Sequence, residues 1–456
     1  MTRVLAVDIG TSSARAQLYG DGAQPLGPPL ARMLHTVDAN GELLLEPIVR
    51  FVENALAAAG DVDTVAWSTL WHSLVALDER DRPLTQASTW LDARAAADAD
   101  ALTGDVDAAD VHARTGAPLH PSFWPAKLRR LRREGVPFAR VAALGDYLRL
   151  RLEGELATSV SLASGSGLFD VHSLRWDGEL SVALGVDEGS LPPVSGRGVW
   201  LGDGAAANVG AGCAHGRPVV TVGTSAALRV VREAARSVPG LFLYRLDRDR
   251  YVQGGALSDG GNLLAWVARV TGAEVADALD RPPGAALILP QLGGDRSPGW
   301  RPHARGAIAG LSLATTAGDV AQAAFEGVAY RLAAISELLE SDRTGWLGQA
   351  RSERAGWLGQ ARSESQVVQV RNVVATGAAL VSRPGWAQLI ADVLGTPVAM
   401  AATAEASARG AAMVALGLDR DPLPLGRRFE PRPERAAQHA QARARLEAFY
   451  RATASA

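Results

Sequence analysis

The sequence predicts an α/β protein of two similar domains flanking a central cleft, and three observations carry that prediction. The chain has 456 residues, too many for one hydrophobic core. It opens with an apolar run from Val4 to Ile9 that turns through Gly10, Thr11, Ser12 and Ser13 and returns as an alternating run from Arg15 to Tyr19. That is the pattern of a strand, a tight turn and an antiparallel partner. The pattern recurs at residues 218–231, where an apolar run passes through Gly223-Thr224-Ser225 and returns with Arg229. Two copies half a chain apart imply two domains, each presenting a polar hairpin tip to the shared cleft.

The tips have the chemistry of phosphate binding. Each offers backbone N–H groups and hydroxyls in a concave set suited to a phosphate. Asp8, beside the first tip, suits the magnesium that accompanies such a phosphate, because Mg²⁺ takes one or two protein carboxylates plus phosphate oxygens. One copy alone is equally compatible with an ordinary hairpin with a polar tip; the duplication favours phosphate. Neither a Gly-x-x-x-x-Gly-Lys loop nor a Gly-x-Gly-x-x-Gly fingerprint occurs in the chain.

The net charge of −3 and a pI near 6.3 give no general reason to expect nucleic acid or an anionic membrane as partner. A single cysteine, Cys213, excludes an intrachain disulfide framework and fits a reducing compartment. There is no basic segment followed by an apolar targeting run, and no apolar stretch of membrane-spanning length. The expectation is a cytoplasmic protein. Lys127 is the only lysine among 46 lysines and arginines.

Taken in order, residues 43–59 carry helix-spaced apolar positions, and residues 62–70 read as a strand ending at Trp71-His72-Ser73. A short strand over 74–78 and a segment over 86–94 follow, the latter with Trp90, Asp92 and Arg94. Open α/β sheets place ligands at strand ends, so His72, Trp90, Asp92 and Arg94 are candidates for a pocket that takes a hydroxylated molecule. Against that stand a satisfied sheet-edge histidine and a core tryptophan. A Pro-punctuated loop over 117–126 leads into a helix over 127–134. Arg129, Arg130, Arg132 and Arg133 on that helix are expected to form a solvated face, since no aromatic platform for nucleic acid accompanies them.

Residues 146–151 and 176–185 read as helices, and a shift in composition at 195–198 divides the chain into domains over 1–198 and 199–456. Just beyond it, Asp203 is the one ionisable group in a Gly/Ala stretch, placed to act as general base on a substrate hydroxyl. Gly-Asp-Gly is also an ordinary turn. Helices are expected over 386–395, 404–416 and 433–452. Two near-identical units over 343–353 and 354–364 are too few for a repeat architecture. Each carries two glycines, which weaken a helix, so the insert is expected to be a surface loop.

Together these motifs resemble the FGGY family of carbohydrate kinases, of the actin-like ATPase (ribonuclease H-like) fold, over nearly the whole chain. The resemblance implies a first phosphate motif with Asp8, Gly10, Thr11, Ser12 and Arg15, and a second with Gly223, Thr224 and Ser225. It implies Asp203 as the catalytic aspartate, a helix starting near Gly261 beside the nucleotide, and an adenosine region with Gly377, Ala378 and Ser382. Ala378 stands where the family has a second glycine and adds a methyl near the adenine. Residues 289–300 resemble the family's Gly-Glu-Arg-x-Pro-x-Trp stretch, with Asp295 in place of Glu.

Trp71-His72-Ser73 and residues 89–94 and 115–121 look most like gluconate kinases; xylulose kinases share weaker forms of these pieces. By resemblance, the protein uses ATP and Mg²⁺, with Asp8 facing the metal through water. The acceptor is a sugar or sugar acid touching His72, Ser73, Trp90, Ser122, Lys127 and Asp203. No nucleic acid or membrane partner is implied, and a homodimer is compatible. Lys127 is expected to contact the acceptor or to fix the loop that does, a compact ammonium not being interchangeable with arginine in a tight site. The alternative is a lysine retained by chance on a solvated helix start. From another class, a non-catalytic sugar sensor on the same fold is the rival, and the presence of Asp203 argues against it.

Overall fold

The computed structural model describes residues 2–212, 216–354, 373–403, 405–421 and 423–454. Its first sheet is built from β1 (Val4–Ile9), β2 (Ser13–Tyr19), β3 (Ala31–Leu34), β4 (Thr64–Thr69) and β5 (Val199–Gly202), in the order β5-β4-β1-β2-β3. β1 and β2 are antiparallel, whereas β4 and β5 run parallel to β1. Every residue of β1 is buried, as expected of a strand covered on both faces. Helix α1 (Leu45–Ala59) buries Leu45, Ile48, Val49, Val52, Ala55 and Ala59 on one stripe, packed with Leu5, Val7 and Ile9. Gly60, at φ 63°, ends it.

The second sheet repeats that plan. β6 (Val219–Val222) and β7 (Ala226–Arg232) form the hairpin, followed by β8 (Phe242–Arg245), β9 (Tyr251–Leu257), β10 (Val373–Thr376), β11 (Val398–Ala401) and β12 (Leu425–Phe429). Their order is β8-β9-β7-β6-β10-β11-β12. The core β9-β7-β6-β10-β11 matches β3-β2-β1-β4-β5 strand for strand, in order and in sense. β5 lies in the first sheet, past the boundary expected at residue 198. The Ser/Gly stretch at 195–198 is therefore the turn into that sheet's last strand, and the passage between halves comes after residue 202.

The passage is helix α4 (Asp203–Gly210), directly after β5; its counterpart, directly after β11, is α9 (Ala406–Ala415). Between them in chain order come α5 (Gly261–Thr271), α6 (Ala317–Arg354), α7 (Ala378–Ser382) and α8 (Pro384–Leu394). Helices α4 and α9 cross with their backbones touching. A Cβ on Gly210 would lie 1.8 Å from the Ala406 carbonyl oxygen, and one on Gly410 would lie 1.9 Å from that of Ala206. Only glycine permits such an approach.

Helix α2 (Trp124–Arg133) differs from expectation. Lys127 is fully buried and Arg130 is 3% exposed, so of the expected solvated face Arg132 and Arg133 are exposed, Arg129 is half-buried and Arg130 is lost to the interior. The reason is tertiary: Arg130 pairs with the buried Asp92 and with Glu134. The first copy of the repeated unit, expected as a loop, continues helix α6, whose remaining Leu, Gln, Ala, Arg and Glu residues favour a helix. Cys213 and the second copy after Arg354 lie outside the described residues. A final helix, α10 (Pro433–Ala454), closes the chain.

The α4–α9 contact predicts that Gly410→Ala lowers unfolding stability by about 1–3 kcal/mol, the usual cost of overpacking. Gly104→Ala, in open space on a surface helix, should change it by no more than about 1 kcal/mol. Denaturant titration of both variants measures the difference.

Candidate active site

The β-sheet register assembles the first cluster. Asp8 stands directly opposite Arg15 on β2 and Ser68 on β4. The Ser68 hydroxyl donates to Asp8 Oδ1 at 2.7 Å. The Arg15 guanidinium lies 3.6 Å from Asp8 and 2.9 Å from Glu405. Burial pushes the Asp8 carboxyl up to about 6, Ser68 and Arg15 oppose that, and the carboxylates of Asp203 and Glu405 add to it.

Asp203 and Glu405 thus add negative charge to the surroundings of Asp8, which a bound cation would relieve. The described residues hold no group of three or more side chains able to bind a metal by themselves. Asp8 with phosphate oxygens and water would be a fitting donor set for Mg²⁺.

Both hairpin tips are tight and solvent-facing. Gly10 N–H donates to the Ser13 carbonyl and Gly223 N–H to that of Ser225, each at 2.9 Å, and Ser12 and Thr224 are exposed. Thr11 Oγ1 accepts from Trp90 Nε1 at 3.1 Å. The second tip is tied to the start of α5, with Gly261 N–H donating to the Gly223 carbonyl at 2.8 Å. Gly377 enters α7 at φ 106°, where a Cβ would lie 2.3 Å from the Val222 carbonyl oxygen. Ala378 and Ser382 are exposed on that helix, so the Ala378 methyl faces outward. The Ser382 hydroxyl donates back to the Ala379 carbonyl.

Asp203 opens α4. Its Oδ1 accepts from Gly204 N–H at 2.8 Å and from Trp71 N–H at 3.5 Å. The flanking glycines make room for the Trp71 indole: a Cβ on Gly202 or Gly204 would lie 2.0 or 2.4 Å from it. Burial raises the Asp203 carboxyl, and Arg229 and the N–H groups of Gly204 and Trp71 hold it back.

His72, at φ 65°, directs Nδ1 to the Gly165 carbonyl at 2.6 Å and Nε2 to an Arg296 nitrogen at 3.5 Å. Nδ1 carries the proton toward the carbonyl. Burial and Arg296 hold the imidazole well below the usual histidine range, hence neutral. The Arg296 guanidinium lies 4.9 Å over the Trp90 ring. Burial brings Arg296 down to about 10 and also lowers Arg229. The Nε atoms of both arginines and the Tyr244 hydroxyl are buried without a hydrogen-bond partner.

The remaining candidates stand behind this surface. Lys127 Nζ donates to the His72 and Thr89 carbonyls at 2.7 and 2.8 Å, and burial lowers it to about 7. It therefore braces the loops that carry His72 and Trp90, and is neither on a solvated helix start nor at the cleft surface. Ser73 is spent on the Leu70 carbonyl and on Leu144 N–H at the start of helix α3 (Leu144–Glu153), and Ser122 on the Trp90 carbonyl. Asp92 and Arg94 pair with each other at 2.7 Å.

Sequence reasoning did not single out Arg229, Tyr244, Arg296 or Glu405 as site residues. Arg229 and Arg296 lie within stretches that were recognised. Glu405 has no local signal beyond preceding a helix.

The repeated sheet and its two cleft-facing hairpins define the ribonuclease H-like, actin-like ATPase fold. Residues 3–229 match the N-terminal domain of the FGGY family of carbohydrate kinases and residues 219–417 its C-terminal domain, and the chain belongs to that family. It is 25% identical to a gluconokinase of Bacillus subtilis over 91% of this chain and 87% of that one. A xylulose kinase from Lactobacillus acidophilus superposes with a TM-score of 0.84 at 21% identity, covering 100% of this chain and 99% of that one. A gluconate kinase from the same organism gives 0.82 at 22% identity, with the same coverage. At these identities the two structures speak to the fold alone.

The raised Asp8 carboxyl has a consequence for stability. Folded Asp8 keeps its proton to about pH 6, while the unfolded side chain ionises near 3.8. Between those values the folded state binds more protons, so stability falls as pH rises through the window and then levels. Without nucleotide or metal, Asp8→Asn should therefore gain stability relative to the parent from about pH 4 to about pH 6 and hold that gain above it. Paired denaturant titrations across pH check this; a difference that does not vary with pH contradicts it.

Proposed function

We propose that the protein transfers the γ-phosphoryl group of ATP to a hydroxyl of a sugar acid, with gluconate as acceptor. The observation that carries the reading is Asp203 flanked by Arg229 and Arg296, each with a buried, unpartnered Nε–H. A base beside two cations suits an acceptor with both a hydroxyl and a carboxylate, and arginine pairs with carboxylate through charge-assisted bonds. The B. subtilis relative, named as a gluconokinase, agrees with this choice.

In this reading the hairpin tips, through Gly10, Thr11 and Ser12 on one side and Gly223, Thr224 and Ser225 on the other, grip the phosphates. Gly261, Gly377, Ala378 and Ser382 border the nucleoside. Mg²⁺ bound with the nucleotide would neutralise phosphate charge, with Asp8 on its water shell. Asp203 takes the proton of the acceptor hydroxyl as the new O–P bond forms and the bond to the β-phosphate oxygen breaks, releasing ADP. His72 and Trp90 line the acceptor, with His72 Nε2 accepting from a hydroxyl. Lys127, Ser73 and Ser122 hold these side chains in place. Positioning and charge stabilisation supply most of the rate in such transfers.

Asp203→Asn should keep ATP binding and lower kcat about 10²–10⁴-fold, the usual worth of a general base. Near-parental kcat removes Asp203 from the mechanism. ATP consumption against gluconate, xylulose and glycerol tests the acceptor: gluconate should give the highest kcat/KM. Preference for either neutral acceptor overturns the sugar-acid reading.

A further inference from the structure

Arg296 reaches the cleft with few bonds of its own, a tryptophan face and one contact of 3.5 Å. Its direction is set by its backbone, whose carbonyl accepts from Trp300 N–H at 2.7 Å, and the preceding residue adds a side-chain anchor to the same loop. Asp295 is 4% exposed. Its Oδ2 accepts from the Tyr450 hydroxyl at 2.5 Å and faces Arg301 Nε at 3.4 Å; its Oδ1 faces Arg331 at 3.4 Å.

The Tyr450 ring is held between two guanidiniums, with Arg301 and Arg331 at 4.2 and 4.0 Å from its centroid. The loop wraps tightly around the Tyr450–Asp295 bond. A Cβ on Gly299 would lie 1.9 Å from the tyrosine oxygen and 2.1 Å from the aspartate oxygen. Tyr450 belongs to α10, the last helix of the chain, and does not itself line the cleft. Beside this cluster is a cavity between α6 and α10 bordered by Pro298, Arg331 and Tyr450.

We infer that Tyr450 is a positioning residue for the acceptor: through its hydrogen bond to Asp295 it sets the Arg296 guanidinium over Trp90 and beside His72. The inference rests on Arg296 facing the acceptor, as in the function proposed above. Losing a hydrogen bond to a charged group is the perturbation that matters, because the ring and its two arginine contacts survive in Tyr450→Phe. That variant should raise KM for the acceptor about tenfold while KM for ATP and kcat change less than about twofold.

The full-length protein is assayed with whichever of gluconate, xylulose and glycerol it phosphorylates fastest, as the parent, Tyr450→Phe, Arg296→Gln and the double variant. If Tyr450 acts through Arg296, Arg296→Gln raises the acceptor KM and Tyr450→Phe adds almost nothing to it. If Arg296→Gln raises the acceptor KM and Tyr450→Phe does not, or the two effects multiply, the positioning role is wrong and the acceptor role of Arg296 stands. If Arg296→Gln leaves the acceptor KM unchanged, both readings fail. A rise in both substrates' KM values with Tyr450→Phe marks a general structural role and also overturns the inference.

Discussion

The backbone contact between α4 and α9 is the constraint on which the cleft depends. These helices follow equivalent strands of the two sheets, and each brings a carboxylate to the cleft at its start, Asp203 in one and Glu405 in the other. Were Gly210 or Gly410 larger, the helices would separate by the width of a side chain and the carboxylates would move with them. Asp203 would lose its place beside Trp71 and Arg229, and Glu405 its ion pair with Arg15. The placement of these carboxylates is thus fixed by packing within about the first two turns of each helix.

The cleft holds charge at a cost. Asp8, Asp203, Arg229 and Arg296 are all shifted by burial toward their neutral forms. Desolvated groups of this kind are tolerated when partners compensate. Here compensation is incomplete, since the Nε atoms of Arg229 and Arg296 and the hydroxyl of Tyr244 have no partner. In the proposed reading these unspent donors serve the acceptor's carboxylate, so little rearrangement accompanies its arrival. The neutral His72 fits the same logic, since a further cation beside Arg296 and Arg229 would add repulsion.

Much of this was legible in the chain because it is local. The hairpins announce themselves by alternation around Gly-Thr-Ser, and Asp203 by its isolation among glycine and alanine. The double occurrence of the hairpin was enough to imply two matching sheets. What the sequence concealed depends on partners far away in the chain. Arg130 looks solvent-bound until Asp92 is placed against it, and Lys127 resembles a helix-start lysine until two loop carbonyls converge on it. The strand at Val199–Gly202 sits beside a change in composition, yet its membership is decided by pairing with β4. Gly202 and Gly204 read as turn residues, whereas their lack of a side chain serves the Trp71 indole.

The helix crossing also has an internal symmetry. Ala206 and Gly210 meet Gly410 and Ala406, so each residue of one helix touches the counterpart of its own neighbour on the other, with a constant offset between the two numberings. Reciprocity of this kind is the mark of an isologous interface, in which one surface binds a copy of itself. Two halves that share strand order and also meet through such an interface have the geometry of a symmetric pair joined into a single polypeptide. Drift at position 210 is consequently tied to drift at position 410, since neither can gain a side chain while the other helix stays in place.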